Sequence, residues 1–412
     1  MDSKPKLLFF VTRPPLPAVD GTREHILSEL AALAPHYQID LFIAGEEKIS
    51  PEIKTELAKI SGGQVFNFYE SRLKCRLRVL TRLFSRFPLQ VSYFYSPRIA
   101  RELIKLAPNY QIFYGHTLRS ARYLSALKPS RPDIGGRTLL DLNDAISLNY
   151  ELAQQRATGF WRLIYASEKN RVKDYELSLL QNFKYLSIVT ERDRDWILKN
   201  WQTKYGPRPV PTITVLPYGI KDSFLDYPYQ PQNKNLVFIG NLYYPPNRQG
   251  LNLFIKKIWP LINRQHQDSE LIIIGRGGPE LFSGRPRVRA LGFLPDPYQL
   301  ITQQALFLNP VTFGAGISTK HILAMALGVP VVSTPNGVGG IAGIRNQENV
   351  ILFDYKQPIE AAAIINQILD DVNSRQLISQ KAKALVSAQY RKSQNDQKLR
   401  ELMRRVATQS EN

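Results

Sequence analysis

Short apolar runs alternate with longer segments of helical spacing from one end of this chain to the other. That alternation confines it to α/β architecture built on parallel sheets. Runs over residues 7–12, 39–43, 65–69, 112–115, 138–141, 186–189 and 213–216 read as the strands of a first sheet, with helices between them. One long helix is predicted from about 145 to about 182. Residues 218–235 break the pattern with Asp222, Asp226, Tyr227-Pro228-Tyr229, Pro231 and Asn233, and read as an interdomain linker. Strand-like runs then resume over 236–240, 271–275, 288–291, 305–310, 330–334 and 350–353, followed by three helices over 359–371, 374–389 and 393–407. The prediction is two doubly wound, Rossmann-like domains, 1–225 and 226–390, and a terminal helix, 391–412, that crosses back to the first. Open sheets of this type bind ligands at the carboxyl ends of their strands, and two facing ones would share a cleft.

A length of 412 residues supports two such cores, and the net charge of +19 implies attraction to a polyanion. Nucleic acid is set aside because no recognition motif accompanies the charge. One cysteine, Cys75, excludes an internal disulfide and fits a reducing compartment. The run after Lys4-Pro5-Lys6 is too short for a signal peptide, and no run approaches the roughly 18 apolar residues of a membrane span. Any membrane contact is therefore expected to be peripheral, on a cytoplasmic protein.

The chemistry concentrates in Gly314-Ala315-Gly316-Ile317-Ser318-Thr319-Lys320, which runs into a short helix, Gly328 and the strand Val329-Pro330-Val331-Val332. Glycines admit a ligand close to the backbone. Ser318 or Thr319 can cap the helix, whose first N–H groups then face the loop, and Lys320 adds a positive charge at the same end. In outline this is a cradle for a diphosphate. A second glycine-rich turn, Gly275-Arg276-Gly277-Gly278, follows a predicted strand and permits close approach of a nucleotide, although a tight turn explains it equally well. In the first half, Gly21 and Thr22 can open a helix after a proline-rich loop and offer N–H groups to an anion. His116 follows a strand, as do Asp141 and Asp144. His116 could act as a base or bond a ligand hydroxyl; the aspartates could bind a hydroxyl or cap the following helix. The segment from Arg72 to Phe87 carries Arg72, Lys74, Arg76, Arg78, Arg82 and Arg86, no acid, and Leu73, Leu77, Leu80, Phe84 and Phe87 at helical spacing. Such a helix suits an anionic membrane surface, or else its stripe packs on the core and its cations are solvated. The five histidines are scattered along the sequence, and no metal constellation is visible.

The second half resembles family 4 of the GT-B glycosyltransferases, and within it those of bacterial exopolysaccharide clusters, including the exosortase-associated group. The resemblance rests on Leu236-Val237-Phe238-Ile239-Gly240-Asn241, Pro245-Pro246-Asn247, Ile258-Trp259-Pro260, Leu271-Ile272-Ile273-Ile274-Gly275-Arg276-Gly277, Val288 to Leu294 and the cradle. It implies a retaining transferase that needs no metal and no cofactor, only a nucleotide diphosphate sugar as donor. It also implies acceptor binding by the first domain, with a glycan or lipid-linked acceptor. Carried over by position, it assigns the donor diphosphate to Gly240, Gly314, Gly316, Ser318, Thr319 and Lys320, with Arg248 standing one residue from the lysine that relatives carry. The nucleotide base would lie near Arg276, and Gly21 would face the donor phosphate. Departures are equally specific. Leu323 replaces the glutamate that receives the donor ribose, and Ala315 replaces its partner eight residues earlier. Asn241 and Gln249 replace basic residues, and Tyr218 replaces an asparagine. A degenerate, non-catalytic binding or scaffold protein is the alternative they leave open.

Overall fold

Alternate residues of the first strand enter two different cores. Leu8 and Phe10 join a cluster on one face, while Leu7, Phe9 and Val11 join a cluster on the other. All are fully buried, as a central parallel strand covered on both sides requires. The computed structural model describes residues 4–18, 21–82, 85–209, 212–313 and 316–408. Gly314, Ala315 and Phe84 lie outside the described residues.

The chain divides into two compact units, residues 1–217 with 396–412, and residues 218–395. The first contains β1 (Lys6–Val11), β2 (Gln38–Gly45), β3 (Val65–Tyr69), β4 (Ile112–His116), β5 (Thr138–Asp141), β6 (Tyr185–Ile188) and β7 (Thr212–Val215) in the order β3-β2-β1-β4-β5-β6-β7, with every pair parallel. The second contains β8 (Leu236–Ile239), β9 (Leu271–Ile274), β10 (Val288–Gly292), β11 (Leu306–Asn309), β12 (Val331–Ser333) and β13 (Ile351–Leu352) in the order β10-β9-β8-β11-β12-β13, again all parallel. Both sheets are doubly wound as expected. Strand order reverses between β1 and β4 in one and between β8 and β11 in the other, and such switch points are where sheets of this kind hold ligands.

Two expectations need correction. The long helix is broken into Ile146–Arg156 and Gly159–Asn182. Between them Thr158 is extended and Gly159 takes φ +56°, a left-handed conformation that glycine adopts without steric cost. The segment 218–235 is not a free tether. Phe224 is buried in the second unit, flanked by Tyr227 and Tyr229, and the Tyr229 hydroxyl donates to the Ala305 carbonyl at 2.6 Å. Its aromatic residues have too much apolar area to stay in water. The last helix, Lys392–Thr408, contributes Leu399, Leu402, Met403 and Val406 to the cluster around β1.

Candidate functional site

In the second unit, the ends of β8 and β9 approach so closely that a Cβ on Gly275 would sit 1.9 Å from the Gly240 carbonyl oxygen. Only glycine fits there. The helix Pro245–Lys257 is seated just as tightly, since a Cβ on Gly250 would lie 2.3 Å from the Pro310 carbonyl oxygen beyond β11. These contacts set Asn247, in the first turn of that helix, opposite Lys320. The Lys320 ammonium donates to Asn247 Oδ1 and lies 4.6 Å from the centre of the Phe238 ring. Asn247 Nδ2 in turn donates to the Asn241 carbonyl at 2.8 Å. Lys320 forms no ion pair among the described residues. Burial without a counter-charge pulls its ammonium down to about 7.

Lys320 belongs to the helix Thr319–Ala326. Ser318 stands at the N-cap position but makes no capping bond; its hydroxyl accepts from Asn309 Nδ2 at 3.3 Å. Expected capping by Ser318 is thereby corrected: the first turn has no side-chain acceptor from it. Asn309, at the end of β11, also contacts His321 Nδ1 at 3.3 Å and donates to the Gly337 carbonyl at 2.8 Å, which pins the loop and helix to the sheet. His321 is fully buried, and burial together with the Lys320 charge holds it neutral, near 3. Gly316 takes φ +75°, and Gly328 does so after the helix end, as its expected role there requires. Leu323 packs against the apolar cluster of this unit.

Arg276 is exposed after β9, with its guanidinium 5.6 Å from the Phe293 ring centre. Tyr243 lies over Gly277, and Tyr243, Tyr244 and Phe293 leave more than half of their surface exposed. Arg248 is half-buried beside Asn247. The residue that engages Lys320 is Asn247, which the sequence offered only within the Pro245-Pro246-Asn247 motif and not as a site residue. Its signal was the position after two prolines in the first turn of a helix.

In the first unit, Gly21 opens the helix Gly21–Leu33 as predicted. His25 and Glu29 stand one turn apart on it and face the ends of β4 and β5. His25 Nε2 lies 3.1 Å from Glu29 Oε1, and Glu29 also accepts from the Tyr114 hydroxyl. His116 is the last residue of β4, not the first after it, and is buried. Its Nδ1 lies 3.0 Å from Asp141 Oδ2 and 3.8 Å from Glu29 Oε2. Burial alone would raise the Asp141 carboxyl, but the His116 hydrogen bond and charge, then His25 and Ser187, hold it below its ordinary value. For His25 burial works downward, and the charge and hydrogen bond of Glu29 raise it overall.

The histidines therefore are not all scattered: His25 and His116 converge, with ring centres 6.2 Å apart. His25, Glu29 and Asp141 offer ligand atoms within 4.8 Å of one another, a group that could hold a divalent cation and that the sequence did not reveal. The available signal was the His-x-x-x-Glu spacing on one helix.

Asp144 does not cap the following helix. Ala145 holds the N-cap position, and Glu176, from the next helix, accepts from the Ser147 backbone N–H at 3.1 Å and from its hydroxyl. Burial, with Asp193 and Asp141 as like charges nearby, raises Asp144 to about 7. Asp141 is similarly committed to its neighbours instead of standing open to a hydroxyl: its Oδ1 accepts from Ser187 Oγ at 3.0 Å and the Asn143 N–H at 3.2 Å.

Among the described residues of the basic segment, Arg72–Thr81 form a helix. Leu73, Leu77 and Leu80 are 67%, 50% and 62% exposed, so the stripe does not pack on the core, while Phe87 does. Arg78 is not part of the charged face. It points inward, 2.8 Å from Glu70 and donating to the Tyr95 carbonyl at 2.6 Å. No helix among the described residues is long and apolar enough to cross a membrane.

Residues 233–371 match the family described as glycosyl transferases group 1. Over 374 residues the chain is 26% identical to an uncharacterized 44.6 kDa protein of the cps region of Klebsiella pneumoniae, covering 88% of this chain and 90% of that one. Its fold is similar to that of Anabaena Alr3699/HepE, solved in complex with UDP and glucose, with a TM-score of 0.64, 15% identity and coverage of 99% and 100% of the two chains. It is also similar to WaaG, a glycosyltransferase involved in lipopolysaccharide biosynthesis, with a TM-score of 0.62, 16% identity and coverage of 96% and 99%. The chain thus has the GT-B fold of glycosyltransferases, and its second unit carries the group 1 segment.

Proposed function

We propose that this protein transfers a sugar from a nucleotide diphosphate sugar to a lipid-linked or polysaccharide acceptor at the cytoplasmic face of a membrane. In this reading the transfer retains anomeric configuration and uses no metal. The observation that carries it is the Lys320 ammonium, held by an amide and an aromatic ring, with no carboxylate partner among the described residues. An ammonium in that setting is completed by an anion, and a departing diphosphate is the anion that sugar transfer generates. In this reading Gly240, Gly316, Ser318 and Thr319 face the same diphosphate, with Arg248 as a second cation and Gly314 in the same loop by sequence. The exposed rings of Tyr243 and Phe293, beside Arg276, suit a nucleotide base. The solved Anabaena complex with UDP and glucose supports a donor of this class. In the first unit His116, Asp141 and Asp144 form the acceptor-side group in this reading, with His116 meeting a sugar hydroxyl, and Gly21 faces the donor phosphate. The exposed leucines and cations of the helix Arg72–Thr81 suit attachment to an anionic membrane.

Isothermal titration of the purified protein with UDP-, GDP-, ADP- and dTDP-sugars, together with detection of released diphosphate, tests this. Binding of one donor with slow release of its diphosphate is expected. No binding to any of them would end the proposal. Leu323 favours one second reading, a donor-binding protein without turnover, because a leucine packed on the apolar cluster accepts nothing from a ribose. Tight donor binding with no release, even with membrane lipid extracts as acceptor, would select it.

A further inference from the structure

The first sheet reverses its strand order between β1 and β4, and an arginine stands just beyond each of those strands. Arg13 is the second residue after β1. Arg119 is the third after β4, in the first turn of the helix Thr117–Ser125. The pair thus flanks the crevice where a doubly wound sheet admits its ligands. Arg119 is half-buried, with its guanidinium 4.6 Å from the centre of the Phe94 ring and its Nε donating to Gln90 Oε1 at 3.3 Å. The remaining N–H groups of that fork bond nothing among the described residues.

Other arginines of this unit are answered by acids: Arg23 by Glu47, Arg78 by Glu70, Arg131 by Asp133 and Arg171 by Glu168. Arg122, one turn beyond Arg119, is covered by two rings, Phe87 at 3.9 Å and Tyr95 at 4.0 Å. Arg119 and Arg13 have no carboxylate partner among the described residues. Burial, and then the like charge of Arg13, bring the Arg119 guanidinium down to about 10, and the Tyr150 phenol is the one neighbour that works the other way. Glu168, whose charge reaches Tyr150, is already engaged by the Leu89 N–H at 2.7 Å and by Arg171. Two guanidiniums held near each other away from bulk water repel, and an anion placed between them relieves that repulsion.

We propose that Arg119 and Arg13 bind a phosphate group of the acceptor, so that the sugar is added to a phosphorylated acceptor and not to a neutral glycan. A guanidinium fork presents paired N–H donors that match two phosphate oxygens, and a second cation matches the second phosphate charge. A single carboxylate would be satisfied by one fork. The Phe94 ring and the Gln90 amide hold the Arg119 fork in place, so little side-chain freedom remains to be lost on binding. This inference rests on the reading of the protein as a sugar transferase and narrows the class of its acceptor. It concerns the first unit, whereas Lys320 belongs to the second.

The experiment is calorimetric titration of the full chain carrying Lys320→Met, so that the donor site does not compete, with probes that share one lipid chain: farnesyl diphosphate glucose, farnesyl glucoside and farnesyl glucuronide. The diphosphate should bind, and Arg119→Gln should weaken it about tenfold or more while changing the neutral glucoside by less than about twofold. Arg119→Lys should recover only part of the loss, because a point charge lacks the fork. Arg13 is exposed, so Arg13→Gln should cost the diphosphate about threefold. Should Arg119→Gln fail to fold by circular dichroism, Arg13→Gln carries the test, and no loss there would overturn the proposal. So would absence of diphosphate binding, equal losses for the diphosphate and the neutral glucoside, or a glucuronide that binds as tightly as the diphosphate. Competition by glycerol 1-phosphate as strong as by the diphosphate would also overturn it and assign the arginines to a membrane headgroup. Failure of the transferase reading is visible separately, as absence of nucleoside diphosphate binding by the protein that retains Lys320.

Discussion

Replacing Lys320 by methionine should stabilise the protein while disabling its donor site. Methionine keeps the length of the side chain and its contact with Phe238 but needs no counter-charge. Lowering an ammonium from its ordinary 10.5 to about 7 corresponds to a cost of ~5 kcal/mol in the folded state. Lys320 retains some solvent contact, which reduces the working figure to about 3 kcal/mol. Leaving Asn247 Oδ1 without its donor returns about 1 kcal/mol of that. The net gain is therefore about 2 kcal/mol, or ~4–8 °C in the melting of a unit of this size. Its pH dependence has a definite sign. A base whose folded value is depressed costs most below that value, and the cost fades above the unfolded one. The variant's advantage should be full at pH 6, smaller at pH 9 and absent above about 10.5. Calorimetric melting at those pH values measures it. Titration with a nucleoside diphosphate should show a loss of tenfold or more, and with the bare nucleoside little change, as a charge-assisted contact of ~1.5–3 kcal/mol implies. A destabilised variant, or equal losses for the two ligands, would refute the account of an ammonium kept for an anion.

Asp144 titrates the other way. An acid raised to about 7 carries a cost above that pH which disappears as pH falls toward the ordinary carboxylate range, so Asp144→Asn should exceed wild type by ~2 kcal/mol at pH 8.5 and match it near pH 4. Denaturant titration at the two pH values checks this, and a constant difference would count against it. Gly275→Ala should cost ~3 kcal/mol or more, because its Cβ would meet the Gly240 carbonyl at 1.9 Å, whereas Gly62→Ala, left-handed at φ +72° but with nothing within 4 Å, should cost only about 1 kcal/mol. Equal costs in urea titrations would show that the β8–β9 contact yields. Anionic vesicles should bind the helix Arg72–Thr81 in a manner that partly survives about 0.5 M salt, since its leucines are exposed. Arg76→Ser with Arg82→Ser should weaken co-sedimentation, and Arg78→Ser should destabilise the fold through loss of the Glu70 and Tyr95 contacts instead. Unaffected co-sedimentation would remove the membrane role of this helix.

Strand positions, the two parallel sheets and the three last helices were legible in the chain because burial on both faces of a parallel sheet leaves uninterrupted apolar runs. The helix start that carries Lys320 was legible for a local reason too: glycine, two hydroxyl residues and a lysine fall within a few residues of one another. The break at Gly159 and the anchoring of Phe224 and Tyr229 were not, since a long helical period conceals one left-handed residue and a polar stretch conceals its few aromatic anchors. Asn247 opposite Lys320, and His25 and Glu29 beside His116 and Asp141, are separated by tens of residues or more and meet only because strand order sets distant chain ends side by side. Sequence decided which residues are available to hold charge. Tertiary structure decided which charges are left without a partner, because partnership depends on what burial and register bring within about 3 Å, and neither is a local property of the chain.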